Sequence, residues 1–314
     1  RISINLENTC VSLLHLGARA FEEIGGEVVQ AATFVLFSNT SQKYMGIFID
    51  LQDGDSQQEK ENEFLKSFWV GFQKKYTNNL RKFEDISGCN YSYWLSKQIL
   101  SKLLTSKKIT NYAEPRHGLV TGNGDLFMRL WSEVNSSKIC FDGKRRGVKW
   151  YPYNKGGTMR RWYGNREYVI NWQNDGFDVR NYSDSNGKIK SSNYNMEYIF
   201  KSNITWSDLT TGLFSARYTS EGALFDTSGP SLFLHDKANL KYLIGFMNTK
   251  VMQLFLNIYC TGLHYSSGSV GNMPLILCIA KKSKIESLAE KCIMISEMDW
   301  NALENSWNFK CHPL

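Results

Sequence analysis

Residues 240–259, LKYLIGFMNTKVMQLFLNIY, carry apolar side chains on most faces of the helix that their spacing predicts. A helix of that kind is buried or packs on another subunit, so the rest of the chain has to cover it. Much of that cover reads as short strands. Runs rich in β-branched and apolar residues recur at 9–16 (TCVSLLHL), 27–37 (EVVQAATFVLF), 44–51 (YMGIFIDL), 167–172 (EYVINW), 204–206, 213–218, 223–226 and 274–280 (PLILCIA). Gly25 and Gly26 make a turn ahead of the second. Helices are expected elsewhere. Phe64, Phe68, Phe72 and Tyr76 recur every fourth residue within 56–82, a stripe suited to a core-packing face. Residues 92–104 (SYWLSKQILSKLL) and 284–295 add two more helical candidates, and 174–195, rich in Gly, Ser and Asn, reads as an exposed loop. The expected class is α+β, with 53–111 a mainly helical connector.

A chain of 314 residues with 42% hydrophobic content holds two ordinary domains, or one large domain with helical attachments, and excludes a disordered chain. Lys and Arg total 37 against 30 acids, a net charge of +7, which favours an acidic partner. The excess is local. Asp50, Asp53, Asp55, Glu59, Glu61 and Glu63 crowd one stretch in which Lys60 is the only base, so the positive field is concentrated elsewhere. The seven cysteines (Cys10, Cys89, Cys140, Cys260, Cys278, Cys292, Cys311) are scattered, with no Cys-x-x-Cys pair, and read as reduced thiols of a cytoplasmic protein. No apolar run is long enough for a membrane-spanning helix, and no charged-then-apolar leader opens the chain, so no membrane partner is expected. A start at Arg1 suggests a piece of something longer. The five histidines are dispersed, so neither a metal site nor a Ser-His-Asp arrangement is assigned, and no Gly-x-Gly-x-x-Gly precedes a helix. No catalytic, cofactor-binding or metal residue is proposed within the chain.

The positive field lies in residues 141–166, FDGKRRGVKWYPYNKGGTMRRWYGNR. Lys144, Arg145, Arg146, Lys149, Lys155, Arg160, Arg161 and Arg166 face one acid, Asp142, with Trp150, Tyr151, Tyr153, Trp162 and Tyr163 interleaved. Cations of this density neutralise phosphates, and flat rings stack on bases. The competing reading is a basic hairpin whose rings face a core and whose charges are merely solvated. Upstream, GLVTGNG (118–124) could cradle a phosphate but lacks the Walker spacing, and a plain tight turn suits it better.

Four segments, HLGARAFEEIGGEVVQAATFVLF (15–37), PRHGLVTGNGDLFMRLW (115–131), WYPYNKGGTMRRWYGN (150–165) and GALFDTSGPSLF (222–233), resemble the PglX-like adenine-specific DNA methyltransferases of BREX phage-exclusion systems, in that family's order. Wider relatives are the fused restriction-modification methylases. The family carries a nucleotide-binding glycine motif and an Asn-Pro-Pro-Tyr catalytic motif, and this chain contains neither. The resemblance therefore implies a fragment of a parent that flips an adenine out of the duplex and methylates its exocyclic amine from S-adenosylmethionine. Residues 1–53 would be closing strands of the α/β methyltransferase sheet and 54–114 a helical connector. Residues 115–283 would be a mixed β-rich target-recognition domain with packed helices, and 284–314 a C-terminal helix and tail. Alone, such a piece is expected to be inactive and to bind no cofactor. Double-stranded DNA is the expected partner, with other phage-defence proteins as further partners. Lys144, Arg145, Arg146, Lys149, Lys155, Arg160 and Arg161 are the candidate phosphate and groove contacts, Asn154, Trp162 and Asn165 the candidate base readers, and Thr121 and Asn123 further candidates on the Gly-rich loop. The alternative is a protein-interaction module whose helix 240–259 docks another defence component; an RNA-binding role is disfavoured, since no RNA-module pattern is present.

Overall fold

The computed structural model describes residues 7–21, 30–39, 41, 43–83, 91–145, 147–260 and 263–311. It divides into Arg1–Leu104 and Thr105–Leu314, and its class is α+β. Glu27 to Val29, the Gly25-Gly26 turn, Cys89, Arg146 and His312 lie outside the described residues.

The first unit is built on four strands, β1 (Thr9–Gly17), β2 (Ala31–Phe37), β3 (Gly46–Asp50) and β4 (Lys75–Asn78), in the order β2-β1-β3-β4. β1 runs parallel to β3, and the other pairs are antiparallel. Phe48 of β3 is fully buried and stacks on Tyr93 with ring centroids 5.0 Å apart. Helix α1 (Gln57–Lys66) starts at Ser56, whose hydroxyl accepts the Glu59 N–H at 3.2 Å. It ends ten residues before the four-residue aromatic stripe does. Gly71 takes φ +90°, and Tyr76 belongs to β4, opposite Phe48. Pairing to β3 outweighs a local helical spacing that no core face rewards, so the expected helical connector is part helix and part sheet. Helix α2 (Lys97–Thr105) begins where Ser96 accepts the Ile99 N–H at 3.3 Å.

Lys60, the one base of the acidic stretch, is buried in the unit. Its ammonium donates to the carbonyls of Leu16 (2.7 Å), Leu51 (3.0 Å) and Gln52 (3.5 Å), tying α1 to the ends of β1 and β3. Burial pulls its pKa down while Asp55 opposes the shift. Replacing Lys60 with Met keeps the stem and removes all three donors, which is expected to cost about 2 kcal/mol in urea unfolding followed by circular dichroism. His15 on β1, 3.2 Å from the Tyr93 hydroxyl, has its pKa lowered by burial against the pull of Asp50. The unfolded chain protonates near the ordinary value of 6.5 and the folded chain only lower. Stability present above pH 6.5 is therefore lost as pH falls towards the folded value. A His15→Asn variant is expected to show a shallower loss of urea midpoint between pH 7.5 and 5.5 than the parent chain.

The second unit has two four-stranded sheets. One, in the order β10-β9-β12-β5, is antiparallel throughout: β5 (Ala113–Arg116), β9 (Asn203–Thr205), β10 (Arg217–Thr219) and β12 (Ser231–Leu234). The other, β11-β7-β8-β6, joins β6 (Met128–Leu130), β7 (Trp150–Asn154), β8 (Tyr168–Asn171) and β11 (Leu224–Phe225), with β11 parallel to β7. Pro115 is tolerated because β5 is an edge strand. Two short helices, α3 (Gly124–Phe127) and α4 (Gln173–Arg180), precede β6 and follow β8. Residues 174–195 are not one open loop. α4 holds Asn174, Asp175 and Gly176 at positive φ, and the following segment turns back with the Lys190 N–H on the Tyr182 carbonyl at 2.8 Å.

The expected helix over 240–259 is two helices, α5 (Leu240–Met247) and α6 (Lys250–Tyr259). Asn248 breaks the run, its Oδ1 accepting the Ala216 N–H and its Nδ2 donating to the Ala216 carbonyl, both at 3.0 Å. Thr249 then caps α6 by accepting the Met252 N–H at 3.2 Å. Both helices bury their apolar faces, so the surface that would dock a partner through 240–259 faces the interior. After α7 (Ser267–Gly271), residues 274–280 form no named strand: one bridge joins Pro274 to Lys108, and Tyr242 donates its hydroxyl to the Ile276 carbonyl while accepting the Cys278 N–H, both at 2.9 Å. Helix α8 (Lys282–Asn301) packs on α5, with Lys241 and Glu290 paired at 2.6 Å. Among the described residues the cysteines are free, no cluster of metal-ligating side chains occurs, and no helix is long and apolar enough to cross a membrane.

Candidate nucleic-acid interface

The basic ribbon 141–166 is organised by β7. Its five residues, Trp150 to Asn154, are all buried. The first three pair with β8 and the last two with β11, so Pro152 sits where pairing passes from one neighbour to the other. Tyr151 and Tyr153 enter the core with Leu119, Phe127, Ile170 and Trp172, and Trp150 packs with Ile139 and Val169 in another cluster. Tyr163 is buried as well. For these four rings the interleaving with cations is thus an inside-outside alternation, which leaves Trp162 as the ring that is not buried.

Tyr153 marks a junction of three segments. Its hydroxyl lies 2.7 Å from Asp226 Oδ2 and 3.2 Å from the Leu119 carbonyl, and burial, with Asp226 alongside, pushes its pKa well up, so it stays a donor. Asp226 Oδ1 accepts the Ser228 N–H at 2.7 Å. The Leu119 N–H donates to the Phe225 carbonyl at 3.0 Å, and a Cβ on Gly118 would stand 1.8 Å from that same oxygen, so only glycine fits. The Gly-rich loop is a packed turn. The Val120 N–H donates to the Ser192 carbonyl at 2.8 Å, Thr121 is buried, and Asn123 caps α3 by accepting the Leu126 N–H at 3.1 Å while its Nδ2 reaches the Tyr182 hydroxyl. Thr121 and Asn123 therefore serve the turn.

The connection from β7 to β8, residues 155–167, crosses to the other sheet and returns. The Trp162 N–H donates to the Ala216 carbonyl and the Tyr218 N–H to the Trp162 carbonyl, both at 2.8 Å, at the β10 edge. Arg217, on β10, is buried at 1% exposure. It donates to the Arg160 carbonyl and to Ser207 Oγ, each at 3.4 Å, while Ser207 donates to the Gly157 carbonyl at 2.8 Å. Burial lowers the Arg217 pKa to about 10, with Glu167 pulling the other way. Asn165 Nδ2 donates to the Thr158 carbonyl at 2.8 Å, and Asn154 Nδ2 to Thr219 Oγ at 3.1 Å. Both residues are buried, and in this structure their amides hold the frame.

The cations divide likewise. Arg160 pairs with Asp299 of α8 at 3.2 Å and lies over the Trp300 ring at 4.9 Å. Arg166 is buried between the rings of Tyr163 and Trp307. Arg145 is exposed, although its guanidinium reaches the Ile139 carbonyl. Lys144, Lys149 and Arg161 are exposed, and Lys155 is half-buried over the Tyr168 ring at 5.7 Å. Trp162 is half-buried, and Arg146 lies outside the described residues. Asp142 is held below the usual carboxylate range, first by the Lys144 N–H and then by the Cys140 thiol. A cleft of about 1010 Å³ beside α8 is no phosphate groove, because Asp142, Glu221, Glu286, Glu290 and Glu297 outnumber its cations Lys144, Arg166, Lys237 and Lys241. Sequence reasoning missed Arg217 and Asp226, whose signal was slight: one cation and one acid within short strand-like runs.

Over nearly its whole length the chain is homologous to adenine-specific methyltransferases. It is 40% identical to "Adenine-specific methyltransferase PglX" of Lacticaseibacillus casei (strain Zhang) over 313 residues, 97% of this chain and 26% of that protein. To "Adenine-specific methyltransferase BrxX" of Escherichia coli O9:H4 (strain HS) it is 35% identical over 309 residues, 98% and 24% of the two lengths. The chain thus spans about a quarter of the curated relatives it matches. The crystal structure of the type IIG restriction endonuclease BpuSI aligns with 92% of this chain and 39% of its own at 10% identity, but a TM-score of 0.39 is too low to bear on fold or function. No family model matches the chain.

Removing the Tyr153 hydroxyl leaves Asp226 Oδ2 and the Leu119 carbonyl short of a buried donor. Tyr153→Phe is expected to lower stability by about 1–3 kcal/mol in urea unfolding monitored by tryptophan fluorescence.

Proposed function

We propose that Thr105–Leu314 is the target-recognition portion of a site-specific adenine DNA methyltransferase of restriction-modification or BREX phage defence, and that it binds double-stranded DNA. The methyl-transfer step, with S-adenosylmethionine as donor, then belongs to parts of the relatives' length that this chain does not span, and the chain alone transfers no methyl group. The first unit, with its β1-β3 parallel pair, is read as the end of the methyltransferase sheet. One observation carries the DNA reading: the ribbon buries Trp150, Tyr151, Tyr153 and Tyr163 and exposes Lys144, Arg145, Lys149 and Arg161, with Lys155 half-buried, on loops at the two ends of β7. A five-residue strand is about 16 Å long. That is the scale of a DNA groove, about 12 Å across, so cations at both ends suit phosphates on its two sides. Homology to adenine-specific methyltransferases supports the same partner.

Affinity for mixed-sequence duplex DNA is expected to fall steeply with salt, and replacing Lys144 and Lys149 by Ala together is expected to reduce the salt slope by roughly two. A Lys281/Lys282 pair changed to Ala serves as the control and should alter it less. Absence of duplex binding at low salt would remove the DNA reading and leave a protein partner from the same defence system. For such a partner Leu288, Ile295 and Met298 of α8 offer exposed apolar side chains, whereas most of the apolar residues of 240–259 are buried.

A further inference from the structure

The loop between β7 and β8 is held in an unusual shape. Gly156, Gly157, Trp162, Gly164 and Asn165 all have positive φ, from 55° to 124°, and Trp162 at 74° is a bulky side chain in a region such residues avoid. Backbone of this kind persists only where its surroundings over-determine it, and it concentrates at functional sites. Here the surroundings do so from every inward side. Ser207 holds the Gly157 carbonyl, Asn165 the Thr158 carbonyl, Arg217 the Arg160 carbonyl, and the β10 edge both backbone groups of Trp162. Arg217 remains buried with an Nε that finds no acceptor among the described residues, so the arrangement is kept although it leaves a polar group unsatisfied.

What the frame presents outward is short. Thr158, Met159 and Arg161 are exposed, and no hydrogen bond or ion pair among the described residues engages the Arg161 guanidinium, whereas its neighbour Arg160 is spent on Asp299. Thr158 offers a hydroxyl and Met159 a soft apolar end. Arg161 offers a planar fork that matches two acceptors on one guanine edge. A rigid backbone carrying a fork, a hydroxyl and an apolar tip is suited to reading base edges; a merely solvated loop needs no such anchoring.

Resting on the DNA reading above, we infer that Thr158, Met159 and Arg161 determine which base sequence is recognised, and that Arg217 is the positioning residue that fixes their spacing. The solvated cations of the 141–149 loop supply affinity without choice.

The test selects bound duplexes from a randomised pool with the 314-residue chain, then measures affinities for the enriched duplex and a scrambled one. The parent chain is expected to enrich a defined motif. Arg161→Ala is expected to reduce the preference for that motif by about tenfold or more at one base pair, and Thr158→Ala and Met159→Ala to relax neighbouring positions. Arg217→Met is expected to lower discrimination more than it lowers affinity for the scrambled duplex, with Arg217→Lys recovering part of the difference. Should Arg217→Met fail to fold by circular dichroism, the three exposed variants decide the matter. If the parent enriches a motif and all three exposed variants keep it unchanged, the inference is wrong while DNA binding stands. Equal binding of the parent to every duplex overturns the inference and the target-recognition reading while DNA binding stands, and no duplex binding at low salt overturns the DNA reading as well.

Discussion

The Tyr153 hydroxyl lies between Asp226 and the Leu119 carbonyl, and the second unit's framework depends on that meeting. Three stretches far apart in the chain are brought within hydrogen-bond reach at one buried point: the turn after β5, the central strand β7 and the β11–β12 connection. A buried phenol that must donate fixes how close those stretches lie, and the contact between the Gly118 backbone and the Phe225 carbonyl leaves no slack. The Tyr153–Leu119 bond is buried, so a lost partner there is not readily replaced by water and the three stretches depend on one another.

This junction also explains why the ribbon looks as it does in the sequence. A strand covered on both faces requires large inward side chains, and Trp150, Tyr151 and Tyr153 meet that need. The loops at its two ends are solvated and tolerate cations. Alternating rings and charges are therefore what a buried strand with basic loops looks like when written in one dimension. Separating that pattern from a stacking surface requires knowing which neighbours β7 has, and those come from residues 119, 170 and 224.

Much of the fold was legible locally. β1, β3, β8, β9 and the start of the last helix lie within a few residues of where apolar runs and helical spacing put them. The failures share one cause. The stripe Phe64–Phe68–Phe72–Tyr76 is helical in spacing, yet Tyr76 gains more from pairing opposite Phe48. The apolar run 240–259 breaks at Asn248 because its amide satisfies both backbone groups of Ala216, a residue no local rule connects to it. At the candidate site, residue type picked out the basic segment but could not tell outward cations from inward ones. Arg160 and Arg161 are adjacent, and only the position of Asp299 on α8 makes them different. Asn154 and Asn165 have the chemistry of base readers and spend it on Thr219 and the Thr158 carbonyl.

The connection from β7 to β8 borrows the edge of a second sheet at Trp162 before returning to its own. A segment stitched to two sheets cannot gain or lose a residue without unseating both, so its length is constrained while its outward side chains are not. Diversification here would proceed by point replacement on a constant backbone, in contrast to freely dangling loops, which vary by insertion. Close relatives with different preferences would then share the same count of residues between these strands and differ chiefly at positions 158, 159 and 161.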